Sequence, residues 1–343
     1  MQSGTGSELK DALGRSLKDL RVSVTDRCNF RCSYCMPLEK YEWIDRHEIL
    51  SFEEITRLVN IFVLLGVEEV RLTGGEPLLR HDLTSLIKKL SDIKNLKDLS
   101  LTTNASLLRD MAPKLAESGL NRVNVSLDTV HPEKFREMTR MDDLGNVLNG
   151  LAAAAESGLT PIKINSVIQR GVNESDIADL VRFSREHGYQ LRFIEYMDVG
   201  NSNNWVSEKM VPKSEILRIV QALFPLQEGG RVDDAAPAID YRYKDGKGNI
   251  GIIASVTEPF CTGCTRARLT ADGKLVLCLF SDIGLDLKRP MRDGASNEEM
   301  RDIIRSAWSA RNDRFSEERL EAMKSGDYRP ESRKKIEMIS LGG

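Results

Sequence analysis

Six short stretches constrain the fold of this chain more than any other feature, because they alternate in polarity with a shared phase. They cover residues 20–25, 69–73, 98–103, 122–127, 162–168 and 190–195, and helical patterns separate them. Strands alternating with helices imply a parallel α/β fold. Parallel strands buried on both faces read as continuous apolar runs. Here Val22/Val24, Val70/Leu72, Leu99/Leu101, Val123/Val125, Ile162/Ile164 and Leu191/Phe193 alternate with polar residues instead. The apolar set must face the covering helices, so the polar set lines the other side. A closed or partly closed barrel with a polar lumen is one that holds a ligand. Four lining residues, Arg21, Arg71, Lys163 and Arg192, are cationic. A sheet face open to water is the plainer alternative, but parallel sheets rarely leave a face bare.

Local signals fill in the rest. Ser51-Phe52-Glu53-Glu54 is a capping box ahead of Ile55, Leu58, Val59 and Phe62 at helical spacing. Asp82 is placed to cap a helix carrying Leu83, Leu86, Ile87 and Leu90. A helix through 152–155 ends at Gly158, and one over 175–186 closes the series. The pattern then changes to a Gly/Asn/Ser loop over 198–205, a helix over 213–224, a polar linker over 227–237 and a strand over 249–255. Residues 266–270 and 274–280 flank Asp272-Gly273, a hairpin signal, and 297–310 read as helix. The chain divides into an N-terminal arm (1–18), a barrel (19–225) and a C-terminal α+β extension (226–343).

The 343 residues include 49 Lys plus Arg against 52 Asp plus Glu, a formal net charge of −3. That near balance argues against wholesale binding to nucleic acid or an anionic membrane, so any electrostatic specialisation is local. The most apolar run, 61–67, is far shorter than the ~20 residues a bilayer needs. Residues 1–10 lack the apolar core of a secretory signal. The expectation is a soluble, cytoplasmic protein. Six cysteines fall into two groups, Cys28, Cys32 and Cys35, then Cys261, Cys264 and Cys278. Disulfides are a poor explanation in a reducing compartment, whereas these tight spacings suit metal ligation. Structural zinc takes four ligands, and none of His47, His81, His131 or His187 lies beside a cysteine group. Zinc stays as a rival to a centre held by three thiolates with one position open.

Residues 25–37 read TDRCNFRCSYCMP directly after the first strand, and Thr73-Gly74-Gly75-Glu76-Pro77 ends the second. With these motifs the chain resembles the radical S-adenosylmethionine enzymes. The second triad, followed by Thr265-Arg266-Ala267-Arg268, narrows the resemblance to the GTP 3′,8-cyclases of molybdenum-cofactor biosynthesis. It runs from Leu20 to the closing Gly342-Gly343. The resemblance implies a partial (βα)6 TIM-type barrel whose C-terminal extension carries a second iron–sulfur cluster. Two 4Fe–4S clusters follow, one on Cys28, Cys32 and Cys35, the other on Cys261, Cys264 and Cys278. S-adenosylmethionine would chelate the open iron of the first, and the guanine end of GTP that of the second. Tyr34, Gly75, Ser126 and Met197 would contact S-adenosylmethionine. Arg21, Arg71, Thr102, Lys163, Arg266, Ala267 and Arg268 would contact GTP. Arg192, Gly74, Glu76, Gly342 and Gly343 are further candidates. The Gly-Gly end resembles the family's functional tail, and a frayed terminus is its alternative.

The implied chemistry assigns no side chain to the bond-making itself. A 5′-deoxyadenosyl radical takes hydrogen from the ribose C3′, the C3′ radical attacks guanine C8, and reduction gives (8S)-3′,8-cyclo-7,8-dihydroguanosine 5′-triphosphate. Implied partners are a flavodoxin- or ferredoxin-type reductant, a cyclic pyranopterin monophosphate synthase that takes the product, and a second copy in a homodimer. Two rivals stand beside this reading. A radical enzyme that modifies a peptide would share the first triad but would not need Arg266-x-Arg268 or a cationic lumen. A non-catalytic zinc or iron–sulfur module explains neither Gly74-Gly75-Glu76-Pro77 nor six polar strand faces in phase.

Overall fold

A computed structural model describes residues 8–36, 41–203, 205–330 and 334–342. The six expected strands are β1 (Asp19–Ser23), β2 (Glu69–Thr73), β3 (Asp98–Thr103), β4 (Arg122–Ser126), β5 (Lys163–Ile168) and β6 (Gln190–Glu195). They pair in chain order and all run parallel. The helices between and just after them are α1 (Phe52–Leu64), α2 (Leu83–Ser91), α3 (Leu108–Glu117), α4 (Pro132–Thr139), α5 (Leu144–Glu156), α6 (Ile177–His187) and α7 (Lys213–Leu223). Each strand turns its apolar set towards them: Val22, Val70, Leu72, Leu101, Val123, Val125, Ile164 and Phe193 are fully buried. α1 answers with Ile55, Leu58, Val59, Ile61 and Phe62 on one stripe. At ~1.5–3 kcal/mol per buried side chain, this layer contributes the larger part of the core.

The start and stop signals hold with one exception. Ser51 accepts from the Glu54 amide while Glu54 reaches back to the Ser51 amide, a complete capping box. Gly158, one residue past the cap of α5, takes φ +76°. Asp82 does not cap α2: its backbone is left-handed (φ 57°) and its carboxylate takes the Thr84 hydroxyl instead of a helix amide. The left-handed turn points its side chain away from the orphan amides that a cap must reach.

Residues beyond 225 extend both edges of the sheet. On the β6 side lie β7 (Leu226–Gly230), β8 (Ile239–Tyr243) and β9 (Asn249–Ile253), with β9 parallel to β6 and the others antiparallel. On the β1 side lie β10 (Arg266–Leu269), β11 (Lys274–Val276) and β12 (Leu285–Asp286), with β10 parallel to β1. The resulting order is β12-β11-β10-β1-β2-β3-β4-β5-β6-β9-β8-β7. The stretch 227–237, expected as a linker, is thus partly strand. Glu228-Gly229-Gly230 has poor intrinsic preference for it, and pairing with β8 along an outer edge overrides that preference. The helices that close the chain are α8 (Lys288–Arg292), α9 (Asn297–Ser309), α10 (Phe315–Ser325) and α11 (Met338–Leu341). Among the described residues no helix is long and apolar enough to cross a membrane.

Candidate active site

Register brings the expected cations into rows. Arg268, Arg21, Arg71 and Ser100 stand side by side on β10, β1, β2 and β3. Thr102, Asn124 and Lys163 form the next lining row on β3, β4 and β5, and Asn165 faces Arg192 across β5 and β6. Three guanidiniums on adjacent strands repel one another, and like charges directly opposite destabilise a sheet. Burial, together with Arg268 and Arg71, pulls the pKa of Arg21 down. Burial also lowers Lys163 to about 7, helped by Arg192, Arg122 and Arg71. Several lining atoms are buried without a partner among the described residues: Arg21 Nε, Arg268 Nε, Thr102 Oγ1, Asn124 Oδ1 and Asn165 Oδ1. Buried polar groups are normally paired, so this face suits a charged, hydrogen-bonding ligand. Below the row the polarity reverses, a feature the strand phase alone did not single out. Arg122 grips Asp98 with two bonds of 2.9 and 2.7 Å and lies 3.8 Å from Glu69. At the amino ends of β2, β3 and β4 the cationic belt therefore meets an ion-paired patch. Ala267 differs from its neighbours Arg266 and Arg268. Strand alternation puts it on the apolar face in register with Leu20, fully buried.

The first triad sits on the loop after β1, at the carboxyl ends of the parallel strands. Its thiols are free and partly exposed. Arg31 and Ser33 amides bond to the Thr139 and Met138 carbonyls at 2.9 and 3.0 Å, docking the loop on the end of α4. Asn29 joins Asn104 and Ser106, each at 2.9 Å, docking it on the end of β3. Burial raises Cys28 to about 11 and Cys35 to about 12. Thiols so disfavoured as free anions ionise when a metal centre supplies the counter-charge. Tyr34 donates to Asp128 at 2.8 Å, and Asp128 also accepts from the Val167 amide at 2.8 Å. Ser126 ends β4 beside Asn165. Met197 packs beside Val199 and Phe280, and its carbonyl accepts from Asn203 at 3.1 Å.

The Gly-Gly-Glu-Pro segment serves this loop first. The Gly75 and Glu76 amides bond to the Thr25 and Arg27 carbonyls at 2.9 and 2.8 Å. A Cβ on Gly75 would meet the Arg27 carbonyl oxygen at 2.2 Å and its carbon at 2.5 Å. The close approach that demands glycine is thus to the cysteine loop's own backbone. Gly74 sits beside it at φ 150°. Glu76 is buried and spent on three bonds, to the Thr103 hydroxyl (2.7 Å), the Asn104 amide (2.7 Å) and the Leu78 amide (3.0 Å). It pins two strand ends together. We expect Gly75→Ala to push the cysteine loop off its seat, because backbone cannot rotate away as a side chain can. Iron bound by the first triad should fall severalfold in anaerobic reconstitution, with the second triad's iron retained. Full iron loading at both would refute that account.

The second triad lies at the other end of β1. Cys264 lies just before β10, whose Arg266 pairs with Asp19, and Cys278 lies just past β11, so both stand on the side of the sheet where β1 begins. The five residues of β1, at ~3.3 Å each, separate the two triads by ~15 Å along the lumen. Burial pushes the Cys264 thiol up, but Arg266 and Arg311 outweigh it and bring it down to about 6. Cys278 is raised to about 12, mainly by burial. A depression of about 250 Å³ lined by Leu277, Cys278, Phe280, Arg311 and Asp313 opens beside this triad. Sequence reasoning missed Arg15 and Arg311, which bond to the Cys261 and Cys264 carbonyls at 3.0 and 2.8 Å. They lie 246 and 47 residues from those cysteines, and no local pattern connects them.

Residues 334–342 are docked against the rest of the chain. Asp198 is buried with Arg319 and Lys335, the latter at 2.6 Å, and also takes the Tyr328 hydroxyl. From that anchor α11 turns into the lumen, where Ser23 donates to the Ser340 carbonyl at 3.1 Å. Gly342 has φ 70°, and a Cβ there would meet Thr73 Oγ1 at 2.0 Å. Gly343 lies outside the described residues.

Residues 22–184 match the radical SAM superfamily, and 189–317 match the molybdenum cofactor synthesis C family. A GTP 3′,8-cyclase of Acidothermus cellulolyticus is 45% identical over 98% of this chain and 99% of its own length. One from Staphylococcus carnosus is 42% identical with the same coverage, and GTP 3′,8-cyclase 1 of Mycobacterium tuberculosis is 41% identical over 98% and 95%. Among solved structures, Streptococcus suis SuiB bound to S-adenosylmethionine superposes with a TM-score of 0.60 at 17% identity, covering 84% of this chain and 68% of that one. That likeness speaks to the fold. The likeness in sequence, over 98% of the chain and so over both cysteine triads and the Arg-x-Arg strand within the second, places this chain in the GTP 3′,8-cyclase family of radical S-adenosylmethionine enzymes.

Proposed function

We propose that the lumen holds GTP between the two triads, with its triphosphate on the Arg268–Arg21–Arg71 row, and that the chain converts it to the 3′,8-cyclo-7,8-dihydro nucleotide. The observation that carries this is the row itself: three arginines in register on adjacent strands, Arg268 buried and Arg21 and Arg71 partly so, with the single carboxylate of Asp19 acting on all three. Such a row is a cost to the fold that a polyanion offsets, and guanidinium forks match phosphate oxygens. Relatives bearing the name GTP 3′,8-cyclase support the same substrate. Cys28, Cys32 and Cys35 would hold one four-iron cluster, and Cys261, Cys264 and Cys278 the other. When bound and reduced, the first cluster with S-adenosylmethionine supplies the hydrogen-abstracting radical.

The chain's own share is positioning and exclusion of water. Tyr34, Gly75, Ser126 and Met197 surround the place for S-adenosylmethionine. Thr102 and Lys163, with Arg192 deeper along β6, face the nucleotide from the far wall, and Arg266 and Arg268 approach from β10. Ala267 can contribute only its backbone. Gly342 at Thr73 narrows the mouth beside the first triad. An external one-electron reductant, a downstream synthase that takes the product and a homodimer complete the reading. Anaerobic incubation with GTP, S-adenosylmethionine and dithionite tests it: GTP deuterated at C3′ should yield deuterated 5′-deoxyadenosine. Unlabelled 5′-deoxyadenosine would sink the reaction, and fewer than about six irons per chain would sink the two-cluster assignment.

Lys163 adds a pH signature. Its folded pKa of about 7 lies far below the ordinary lysine value, so above pH 7 the side chain is neutral unless phosphate recharges it. Binding then takes up a proton, and affinity should fall by up to about tenfold per unit between pH 7 and 9. Calorimetry of GTP binding in buffers of different ionisation enthalpy reads the proton directly. A Lys163→Met variant should bind weakly with this slope removed, and an unchanged slope would exclude Lys163 as its source.

A further inference from the structure

The second triad is wrapped by residues that neither the barrel nor the nucleotide calls for. Arg311, just past α9, is 4% exposed and stacks 4.7 Å over Trp308. Besides the Cys264 carbonyl it donates to the Cys264 sulfur at 3.3 Å, and its Nε bonds to Asp313 at 3.0 Å. Arg15, in the arm before β1, reaches the Asp313 carbonyl at 2.8 Å as well as that of Cys261. Asp11 grips Arg15 at 2.5 Å and stands 3.8 Å from Arg311, with its carboxylate shut off from water. Trp308 closes the ring by donating to the Arg15 carbonyl at 3.0 Å. A buried cation donating to a ligand sulfur, and itself held by the far end of the chain, is more than packing requires.

We propose that Arg311, paired with Asp11 of the N-terminal arm, which also grips Arg15, sets the electron affinity of the second iron–sulfur cluster. The inference rests on the reading that Cys261, Cys264 and Cys278 hold such a cluster. Reduction adds one electron, supplied in the test by dithionite through mediators, and breaks no bond. The added negative charge resides on the irons and sulfurs, where N–H···S donation and a nearby cation in a low dielectric stabilise it. Arg311 therefore raises the potential, and the Asp11 carboxylate moderates it.

The test is an anaerobic redox titration of the two-cluster holoenzyme followed by electron paramagnetic resonance. Arg311→Gln should weaken the second cluster's hold on the electron about tenfold, ~59 mV more negative for a one-electron couple, and leave the first cluster unmoved. Arg311→Lys keeps the charge but loses the fork, and should shift in the same direction by less. Asp11→Asn keeps the oxygen that accepts from the Leu13 and Arg15 amides while removing a negative charge, so it should shift the potential upward. Opposite signs are what a merely structural role does not produce. Unchanged potentials in both Arg311 variants, or a common downward drift that includes Asp11→Asn, would overturn the proposal. If Arg311→Gln fails to retain iron, the other two variants decide by the same criteria. Iron and sulfide analysis of the unaltered protein separately tests whether the triad holds a cluster.

Discussion

Replacing Arg266 and Arg268 together by Ala should lower GTP affinity about 10²–10⁴-fold. Each charged hydrogen bond is worth ~1.5–3 kcal/mol, and two give ~3–6 kcal/mol at ~1.4 kcal/mol per decade. The single variants should then separate on the stability of the ligand-free protein. Arg268 is buried beside Arg21 with its Nε unpartnered, so Arg268→Ala relieves repulsion and should stabilise by ~0.2–1 kcal/mol. Arg266 donates to the Ala235 carbonyl at 3.0 Å and stacks 5.1 Å over Phe260, so Arg266→Ala should destabilise. A residue whose removal strengthens the empty protein and abolishes binding is kept for its ligand. Anaerobic calorimetry of GTP binding and denaturant titration read the two effects. Unchanged affinity in the double variant would remove these arginines from the site.

The cationic lumen was legible because strand alternation has a period of two. Once Val22 and Leu72 face the helices, Arg21 and Arg71 have nowhere else to point. The triads were legible for a similar reason, since Cys28 and Cys35 must converge within a single loop. Glu76 shows the limit. Its motif invites a role at the cofactor, yet its carboxylate is consumed by Thr103, Asn104 and Leu78. Arg15 bonding 298 residues away at Asp313, or Asp198 meeting Lys335, depends on how the chain's two ends return to the sheet. No periodicity encodes that return. β7 was missed because its residues disfavour strand and only the neighbouring β8 makes them one.

Glu195→Ala should cost about 3–5 kcal/mol and release the second triad, although strand alternation marks Glu195 only as the last residue of β6. Its carboxylate is fully buried and accepts from the Lys213, Val256 and Thr257 amides, each at 2.9 Å, and from the Thr257 hydroxyl at 2.5 Å. One side chain thus joins the end of β6 to the start of α7 and to the loop that leads into Cys261. Alanine would leave the buried Val256 amide and the partly buried Lys213 and Thr257 amides without acceptors, at ~1–3 kcal/mol for the first and ~1 kcal/mol for each of the others. Gln keeps one oxygen but turns an NH₂ towards donors, so Glu195→Gln should recover less than half of the loss. The amides left behind at Val256 and Thr257 belong to the loop and not to the barrel. The damage should therefore appear as iron missing from Cys261, Cys264 and Cys278 before the first triad is affected. Urea titration and site-resolved iron analysis read both effects. A loss under about 1 kcal/mol with the second triad's iron intact would show that the loop is held by other contacts.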